Sequence, residues 1–253
     1  MPRVQRLYEA CKVSFLPSGG VPSPEAVELV KSALDDITSF DVGLQDSSIQ
    51  NELAVGRVWS KRCGGHRSST VSGWAPPITY LHLYECENFL SMGIFCLPAG
   101  AAIPLHNHPG MTVFSKLLYG SMHVRSFNWI HPSDKELIAG PSEARLAKLV
   151  EDHVITVPCE TEILYPTSGN IHSFKAVTSC AVLDVLAPPY STKDGRRCTY
   201  YKESRFSGAI HEMVEYAELD LDGESSYSSL QEFQPPKNFI VKEGIYKGPK
   251  VRP

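Results

Sequence analysis

Residues 103–120 read IPLHNHPGMTVFSKLLYG, and this stretch carries the pattern that decides the fold. His106 and His108 are two positions apart, so an extended strand would turn both imidazoles to one face and Asn107 to the other. Two imidazoles on one face are what two adjacent ligands of a single metal ion require. An isolated His-x-His pair also arises by chance on surface strands, so the surrounding sequence has to decide between the two readings.

A third imidazole would have to come from elsewhere in the chain. His172, in LYPTSGNIHSF at 164–174, is the best candidate because it follows a Pro/Gly turn at the start of a predicted strand. His82 and His123 also lie in strand patterns, and spacing alone leaves either of them open as the third ligand. The sequence therefore predicts a metal site at His106, His108 and His172.

The chain around this site changes character at Pro77. Short runs of β-branched and aromatic residues then alternate with turn residues, which predicts an all-β barrel or sandwich. Ahead of them, two helices are predicted, the second capped by Ser23 with Pro24 in its first turn. The predicted strands lie at 78–85, 91–97, 111–119, 121–129, 161–165, 171–177, 181–187 and 198–202.

The chain is expected to form one structural domain with two parts. Residues 1–75 hold the N-terminal helices and a flexible connection, because 45–75 shows no period. Residues 76–253 form the barrel with a C-terminal extension. Within that part, polar residues 130–147 are interpreted as a surface insertion, and 218–253 as irregular structure packed over the barrel.

Composition excludes several classes of protein. The formal net charge of −4 offers no basic surplus for neutralising phosphates, which disfavours direct nucleic-acid binding. The 7 cysteines form no Cys-x-x-Cys pair, which argues against a disulfide framework and for a reducing compartment. No apolar run is long enough to span a membrane, and the N-terminal residues lack the apolar core of a secretory signal. We expect a monomer located in the nucleus and cytoplasm, with no membrane partner.

The glycines around the histidines match a known pattern. Gly100, five residues, His106-x-His108 and Gly120 resemble the first motif of the cupins, whose fold is a double-stranded β-helix barrel. The glutamate of that motif is replaced by Val113, so the usual anionic ligand is missing. Three neutral ligands leave a divalent ion its full charge, which favours a substrate that brings its own anion, such as a thiolate. The same loss counts against a zinc or manganese cupin isomerase.

Longer stretches resemble the plant cysteine oxidases, relatives of animal cysteamine dioxygenase. The resemblance is dense over about 76–205 and weaker at both ends, where it includes the helix QRLYEACKVSF at 5–15. The matching stretches are PPITYLHLYECENFLSMGIFCLP at 76–98, IPLHNHPGMTVFSKLLYGSMHVRSFNW at 103–129, CAVLDVLAPPY at 180–190 and EFQPPKNFI at 232–240.

This resemblance implies an iron(II) dioxygenase that adds both atoms of O₂ to the sulfur of an N-terminal cysteine on a protein substrate. In plants such substrates include the group VII ethylene response factors, whose oxidation marks them for the N-degron pathway and so reports oxygen. The resemblance transfers the Fe(II) ligands to His106, His108 and His172.

The resemblance also places two catalytic residues near the iron, in LDVLAPPY at 183–190. Asp184 is expected to hydrogen-bond the substrate amine or an iron ligand, and Tyr190 to orient the oxygenated intermediate. Alternatively, Asp184 caps a turn and Tyr190 belongs to the core. Cys198 and Tyr200 are two apart on a predicted strand, and related enzymes join such a pair in a thioether, although an inert packed cysteine is the simpler interpretation.

Two other functions remain open from the sequence. One is the same chemistry on a small thiol, cysteine or cysteamine, and the other is a non-catalytic cupin that serves as a binding module. An arginine clamp for a carboxylate would favour free cysteine, and Arg125 and Arg145 are the residues considered for it.

Overall fold

The computed structural model describes residues 1–15, 22–44, 77–130, 144–205, 227–235, 237 and 239–253. The predicted connection at 45–75 and most of the predicted insertion at 130–147 lie outside the described residues. The division of the chain at residue 75 therefore stays a prediction. No helix in the described part is long and apolar enough to cross a membrane.

Two helices precede twelve strands in the described ranges. The strand prediction is confirmed for most of the barrel, with small shifts at the ends. The helices are α1 (Arg3–Phe15) and α2 (Pro24–Asp35), and the strands are β1 (Ile78–Cys86), β2 (Leu90–Leu97), β3 (Ala102–Asn107), β4 (Thr112–Tyr119), β5 (Ser121–Trp129), β6 (Arg145–Thr156), β7 (Glu162–Leu164), β8 (Ile171–Ala176), β9 (Cys180–Ala187), β10 (Tyr200–Arg205), β11 (Tyr227–Phe233) and β12 (Val241–Gly244).

The strands form two layers around a shared core. One is a six-stranded sheet in the order β12-β1-β2-β9-β4-β7, and the other closes on itself as β10-β11-β6-β5-β8-β3. Apolar side chains from both layers meet between them, for example Val182 from the sheet and Phe174 from the closed layer. The predicted all-β cupin barrel with N-terminal helices is confirmed.

Strand β9 shows why this sheet must be covered on both sides. Its sequence CAVLDVLA is almost wholly apolar, and every residue in it is buried. Cys180 and Val182 face the inter-layer core, whereas Leu183 and Val185 pack against the helices. A strand buried on both faces is expected to be a continuous apolar run, so Asp184 is the exception that calls for a functional explanation.

The two helices cover the outer face of the six-stranded sheet. The buried residues of α1 recur at helical spacing, and α2 begins at Ser23, whose side chain accepts a hydrogen bond from the Ala26 backbone N–H at 3.3 Å. Lys116 of β4 donates to Asp35 Oδ1 at 3.0 Å and so ties the end of α2 to the sheet. The helices are therefore part of the barrel's core and not an appendage.

Three strands were not expected from the sequence. The prediction of irregular structure over 218–253 was wrong where β11 closes the second layer and β12 pairs in parallel with β1. Strand β6 begins at Arg145, inside the segment predicted to be an insertion. Residues of β6, β11 and β12 are often polar or exposed, so their strand character depends on long-range pairing that periodicity does not show.

Candidate metal centre

Three buried histidines converge between the two layers. The centroids of their rings lie 4.7, 4.8 and 4.9 Å apart in pairs, and one nitrogen from each lies within 4.8 Å of the others. They are His106 on β3, His108 just after β3, and His172 on β8. Among the described residues this is the group of His, Cys, Asp and Glu side chains able to hold a metal ion.

An irregularity in β3 aims His106 inward. Ile103 pairs with Phe174 and His106 pairs with His172, so three steps along β3 oppose two along β8. The extra residue rephases β3, because side chains otherwise alternate between faces. His106 thereby shares the inner face with Ile103 and lies directly across from His172.

The turn before β8 fixes the third histidine. The Tyr165 and Ser168 backbones bond to each other, and Gly169 adopts a positive φ of 68° that suits glycine. Asn170 then accepts a hydrogen bond from the His108 backbone N–H through its carbonyl, at 3.0 Å. This bond joins the loop that carries His108 to the turn that delivers His172.

Burial keeps all three imidazoles neutral. It lowers the pKa of His106 to about 4, and it holds the pKa values of His108 and His172 well below their usual range with help from the neighbouring rings. The Nε2 atoms of His108 and His172 lie 2.9 Å apart. Ligands about 2.1 Å from one ion and at right angles stand about 3 Å apart, so this spacing fits a bound metal.

The second ring nitrogens of His106 and His108 are held by partners that select the correct tautomer. His106 Nδ1 lies 2.8 Å from the carbonyl of Pro104, to which it donates when Nε2 is left free. The Tyr190 hydroxyl donates to the Asn107 carbonyl at 2.8 Å and lies 2.9 Å from His108 Nδ1, which can donate to it. Such partners orient metal-bound histidines and raise their basicity.

Val113, which replaces the cupin glutamate, is part of an apolar cluster. Val113 is fully buried in a cluster with Met111, Leu164 and Leu186, against which Tyr190 packs. Tyr190 also stacks on His108, with ring centroids 5.3 Å apart. The donor set is thus three neutral imidazoles, a set that suits iron, zinc, copper or nickel.

Asp184 lies on the inner face of β9 and does not cap a turn. Its Oδ1 accepts a hydrogen bond from the Ser115 hydroxyl at 2.7 Å, and burial raises its pKa to about 7. The structure therefore places Tyr190 against His108, and it places Asp184 on the inner face of the sheet, opposite the layer that carries the histidines. The catalytic roles of both residues stay predictions.

Cys198 and Tyr200 lie beside the same cluster. The thiol of Cys198 interacts with the hydroxyls of both Tyr190 and Tyr200, and burial raises the pKa of Cys198 above its usual value. Tyr200 pairs with His106 across β10 and β3, and the centroids of their rings lie 6.0 Å apart. Cys198 thus lies between two phenols near the metal ligands.

The other candidates lie away from this centre. His82 is exposed on β1, and His123 bonds to Asp152 at 2.6 Å on the opposite face of β5. Arg125 makes ion pairs with Asp152 and Glu203 on that same face, and Arg145 lies over the Trp129 ring. Neither His82 nor His123 completes the triad, and neither arginine forms a carboxylate clamp in it.

Several residues of the site were missed by sequence reasoning. Asn107 and Ser115 act through partners far along the chain, whereas the Pro104 carbonyl contacts His106 only two positions away. The apolar residues on both sides of Asp184 in CAVLDVLA were the one local indication that its carboxyl is buried and needs a hydrogen-bond donor. The identity of that donor, Ser115, depends on the β4–β9 register.

Removing the Tyr190 hydroxyl tests the tautomer assignment. We expect Tyr190→Phe to weaken metal binding by about tenfold or more, because losing such a partner of a ligand histidine typically costs 10–100-fold. Metal affinity measured by competition with a chromophoric chelator checks this, beside Tyr165→Phe as a control on an exposed tyrosine. A metal affinity equal to that of the unmodified protein would show that the Tyr190 hydroxyl does not orient His108 as a metal ligand.

Comparison with known sequences shows which protein family the chain is part of. A sequence profile of the PCO_ADO family matches residues 33–251, which is most of its length. The chain belongs to the PCO_ADO family. Plant cysteine oxidase 2 of Arabidopsis thaliana is 43% identical over 253 residues, which cover 98% of this chain and 83% of that protein. Plant cysteine oxidase 1 of the same plant is 42% identical over 253 residues, which cover 98% of this chain and 80% of that protein.

An animal protein is similar over a shorter span. The 2-aminoethanethiol dioxygenase of Mus musculus is 38% identical over 141 residues, which cover 50% of this chain and 55% of that protein. Among solved structures, an RmlC-like cupin protein from Desulfovibrio desulfuricans covers 51% of this chain and 99% of its own, at 20% identity and a TM-score of 0.31. The strand order of the chain itself establishes the fold.

Proposed function

We propose that this chain is an iron(II)-dependent dioxygenase that oxidises the N-terminal cysteine of protein substrates to cysteine sulfinic acid. One observation carries the proposal: three buried, neutral imidazoles face one another with Val113 where an anionic ligand would stand. Relatives similar over nearly the whole chain are named plant cysteine oxidases, which supports a cysteine as the group oxidised.

The residues of the metal centre have different roles. His106, His108 and His172 hold the metal, and Tyr190 and the Pro104 carbonyl keep the rings of His108 and His106 oriented. Iron(II), when bound, supplies a site that favours the thiolate over the thiol and activates O₂. The thiolate gains both oxygen atoms and supplies all the electrons, so the net reaction needs no reductant or keto acid.

Asp184 is the group available to the substrate's amine. With a pKa of about 7 it is near half-ionised at neutral pH, so it can accept a hydrogen bond from an ammonium or take its proton. Ser115 holds one carboxyl oxygen and thereby fixes the direction of the other. Tyr190, stacked on His108, orients the group bound at the metal.

The decisive experiment is mass spectrometry of a synthetic peptide that begins Cys-Gly-Gly, incubated in air with the iron(II)-loaded protein. We expect a gain of two oxygen atoms on the terminal cysteine. A peptide with an acetylated amine serves as the matched control and should react far more slowly. Free cysteine and cysteamine are run in parallel, because a similar mouse protein is named 2-aminoethanethiol dioxygenase.

The outcomes separate the alternatives. No peptide oxidation with iron bound and O₂ present would contradict the proposal. Turnover of cysteamine or cysteine alone would establish a small-thiol dioxygenase. No oxygen consumption with any thiol would leave a metal-binding cupin module, and activity with zinc but not iron would exclude the dioxygenase chemistry.

The biological setting follows from this activity. We propose that the substrates are group VII ethylene response factors, that O₂ supply controls their oxidation, and that this feeds the N-degron pathway. The protein would act in the nucleus and cytoplasm as a monomer without membrane contact. The net charge of −4 supports the absence of direct contact to nucleic acid. Imaging of a fluorescent fusion and light scattering of the purified chain test location and oligomeric state.

A further inference from the structure

Tyr80 reaches the inner face of the sheet through a gap left by a glycine. A Cβ at Gly93 would clash with the Tyr80 hydroxyl and with the two ring carbons next to it, Cε2 and Cζ. The ring also lies against Phe95, with centroids 4.9 Å apart. The phenol therefore occupies the space where residue 93 would otherwise have a side chain.

The register of the sheet puts this phenol next to Asp184. Gly93 pairs with Asp184 across β2 and β9, and residues paired in this way have their Cβ positions about 5 Å apart on one face. Tyr80 itself pairs with Phe95, whose partner on β9 is the inward-facing Val182. The Tyr80 hydroxyl thus lies near Asp184 on the inner face of the sheet, which is turned toward the closed layer that carries the histidines.

The surroundings of this hydroxyl are negative. Burial, with the charges of Glu85, Asp184 and Glu243, raises the pKa of Tyr80 to about 12. Glu243 pairs with Tyr80 across β12 and β1, so the C-terminal strand brings its charge to the same face. Tyr80 is consequently a neutral donor in a place that disfavours a second anion.

We propose that Tyr80 is a specificity-determining residue that donates a hydrogen bond to the peptide carbonyl of the substrate's N-terminal cysteine. A neutral carbonyl is accepted there, whereas the carboxylate of free cysteine would be repelled by the charge of Asp184, which pairs with Gly93 on the same face. This inference rests on the proposed oxidation of N-terminal cysteines. It explains selection of a peptide without any arginine clamp.

Gly93 offers a way to move the phenol without deleting it. A Cβ at this position contacts the far end of the Tyr80 side chain, so Gly93→Ala shifts that ring while the backbone stays in place. Tyr80→Phe instead removes the hydroxyl and leaves the ring. If the hydroxyl acts by its position, either change alone removes the same interaction, and the double variant is no worse than Gly93→Ala.

The experiment compares these variants in the iron(II)-loaded protein with a Cys-Gly-Gly peptide and with free cysteine. We expect Tyr80→Phe to raise KM for the peptide about tenfold, with kcat changed less than about twofold and free cysteine unaffected. Calorimetry of peptide binding under nitrogen, where turnover is impossible, should show a similar loss of affinity. Phe40→Ala, at a 76% exposed position in the turn after α2, is the control for removal of an aromatic group.

Three results would overturn the inference. They are an unchanged ratio of peptide to cysteine turnover in Tyr80→Phe, an equal loss on both substrates, or effects of Tyr80→Phe and Gly93→Ala that multiply. Failure of the proposed function looks different, because the unmodified protein would then oxidise no peptide at all. Peptide binding under nitrogen would still report on Tyr80 in that case.

Discussion

His172→Ala is expected to lose the metal and the activity together. The site has three neutral donors and Val113 where a fourth, anionic one could stand, so removing one imidazole leaves only two. Loss of a mere partner of a ligand costs 10–100-fold in metal affinity, so loss of the ligand itself should cost at least about a hundredfold. Elemental analysis after dialysis and peptide oxidation followed by mass spectrometry measure the two effects.

The matched control is His123→Ala. His123 lies on the opposite face of β5 and bonds to Asp152, so its removal leaves the centre intact. Thermal unfolding of the metal-free proteins shows whether His172→Ala still folds, since it deletes a buried ring that contacts Phe174. A folded His172→Ala protein that keeps one metal ion per chain and full activity would exclude His172 as a ligand.

Asp184→Asn is expected to lower activity and raise stability at the same time. The amide keeps the shape and can still accept from Ser115, but it cannot take a proton or carry a charge toward the substrate amine. We expect kcat/KM to fall by about a hundredfold, the size typical of a lost acid–base group. Steady-state turnover of the Cys-Gly-Gly peptide measures this loss.

The stability gain should depend on pH in a defined direction. Burial raises the pKa of Asp184 from its usual 3.8 to about 7, so the folded chain holds a proton that the unfolded chain releases. The contribution of this proton to the free energy of unfolding is fully present below the pKa of Asp184 in the unfolded chain. It is lost as the pH rises toward the pKa of Asp184 in the folded chain. The advantage of Asp184→Asn should therefore be near zero at about pH 4 and reach at most about 4 kcal/mol above pH 7.

Urea unfolding of the metal-free protein and variant across this range is the measurement. Ser115→Ala is the companion variant, since it removes the hydrogen bond that favours the ionised carboxylate and should extend the loss of stability to higher pH. Equal stability of Asp184→Asn and the unmodified chain at all pH values would show that folding does not raise the pKa of Asp184. Full activity of Asp184→Asn would remove Asp184 from the catalytic proposal.

Local sequence was sufficient for much of the barrel and part of the centre. The period-two placement of His106 and His108, the turn before His172 and the cap at Ser23 all depend on neighbours within a few residues. Strand β9 was predictable because a continuous apolar run needs only burial on both faces. These features were predictable because short-range geometry decides them.

Other features depend on pairings between distant parts of the chain. Strands β11 and β12 have few inward-facing apolar residues, and they exist because β6 and β1 offer partners. The bulge in β3 that faces His106 toward His172 is visible only against the register of β8. The bond from Tyr190 to Asn107 spans 83 positions, and the one from Ser115 to Asp184 spans 69.

The sequence by itself determined the fold class, the three histidines, the loss of the acidic ligand at Val113 and the resemblance to cysteine oxidases. Only the tertiary structure decided which nitrogens remain free, why the imidazoles stay neutral, and that Tyr80 fills the gap above Gly93 beside Asp184. The physical reason is that a side chain's type is local information, whereas its burial, tautomer and protonation state depend on atoms brought close by register.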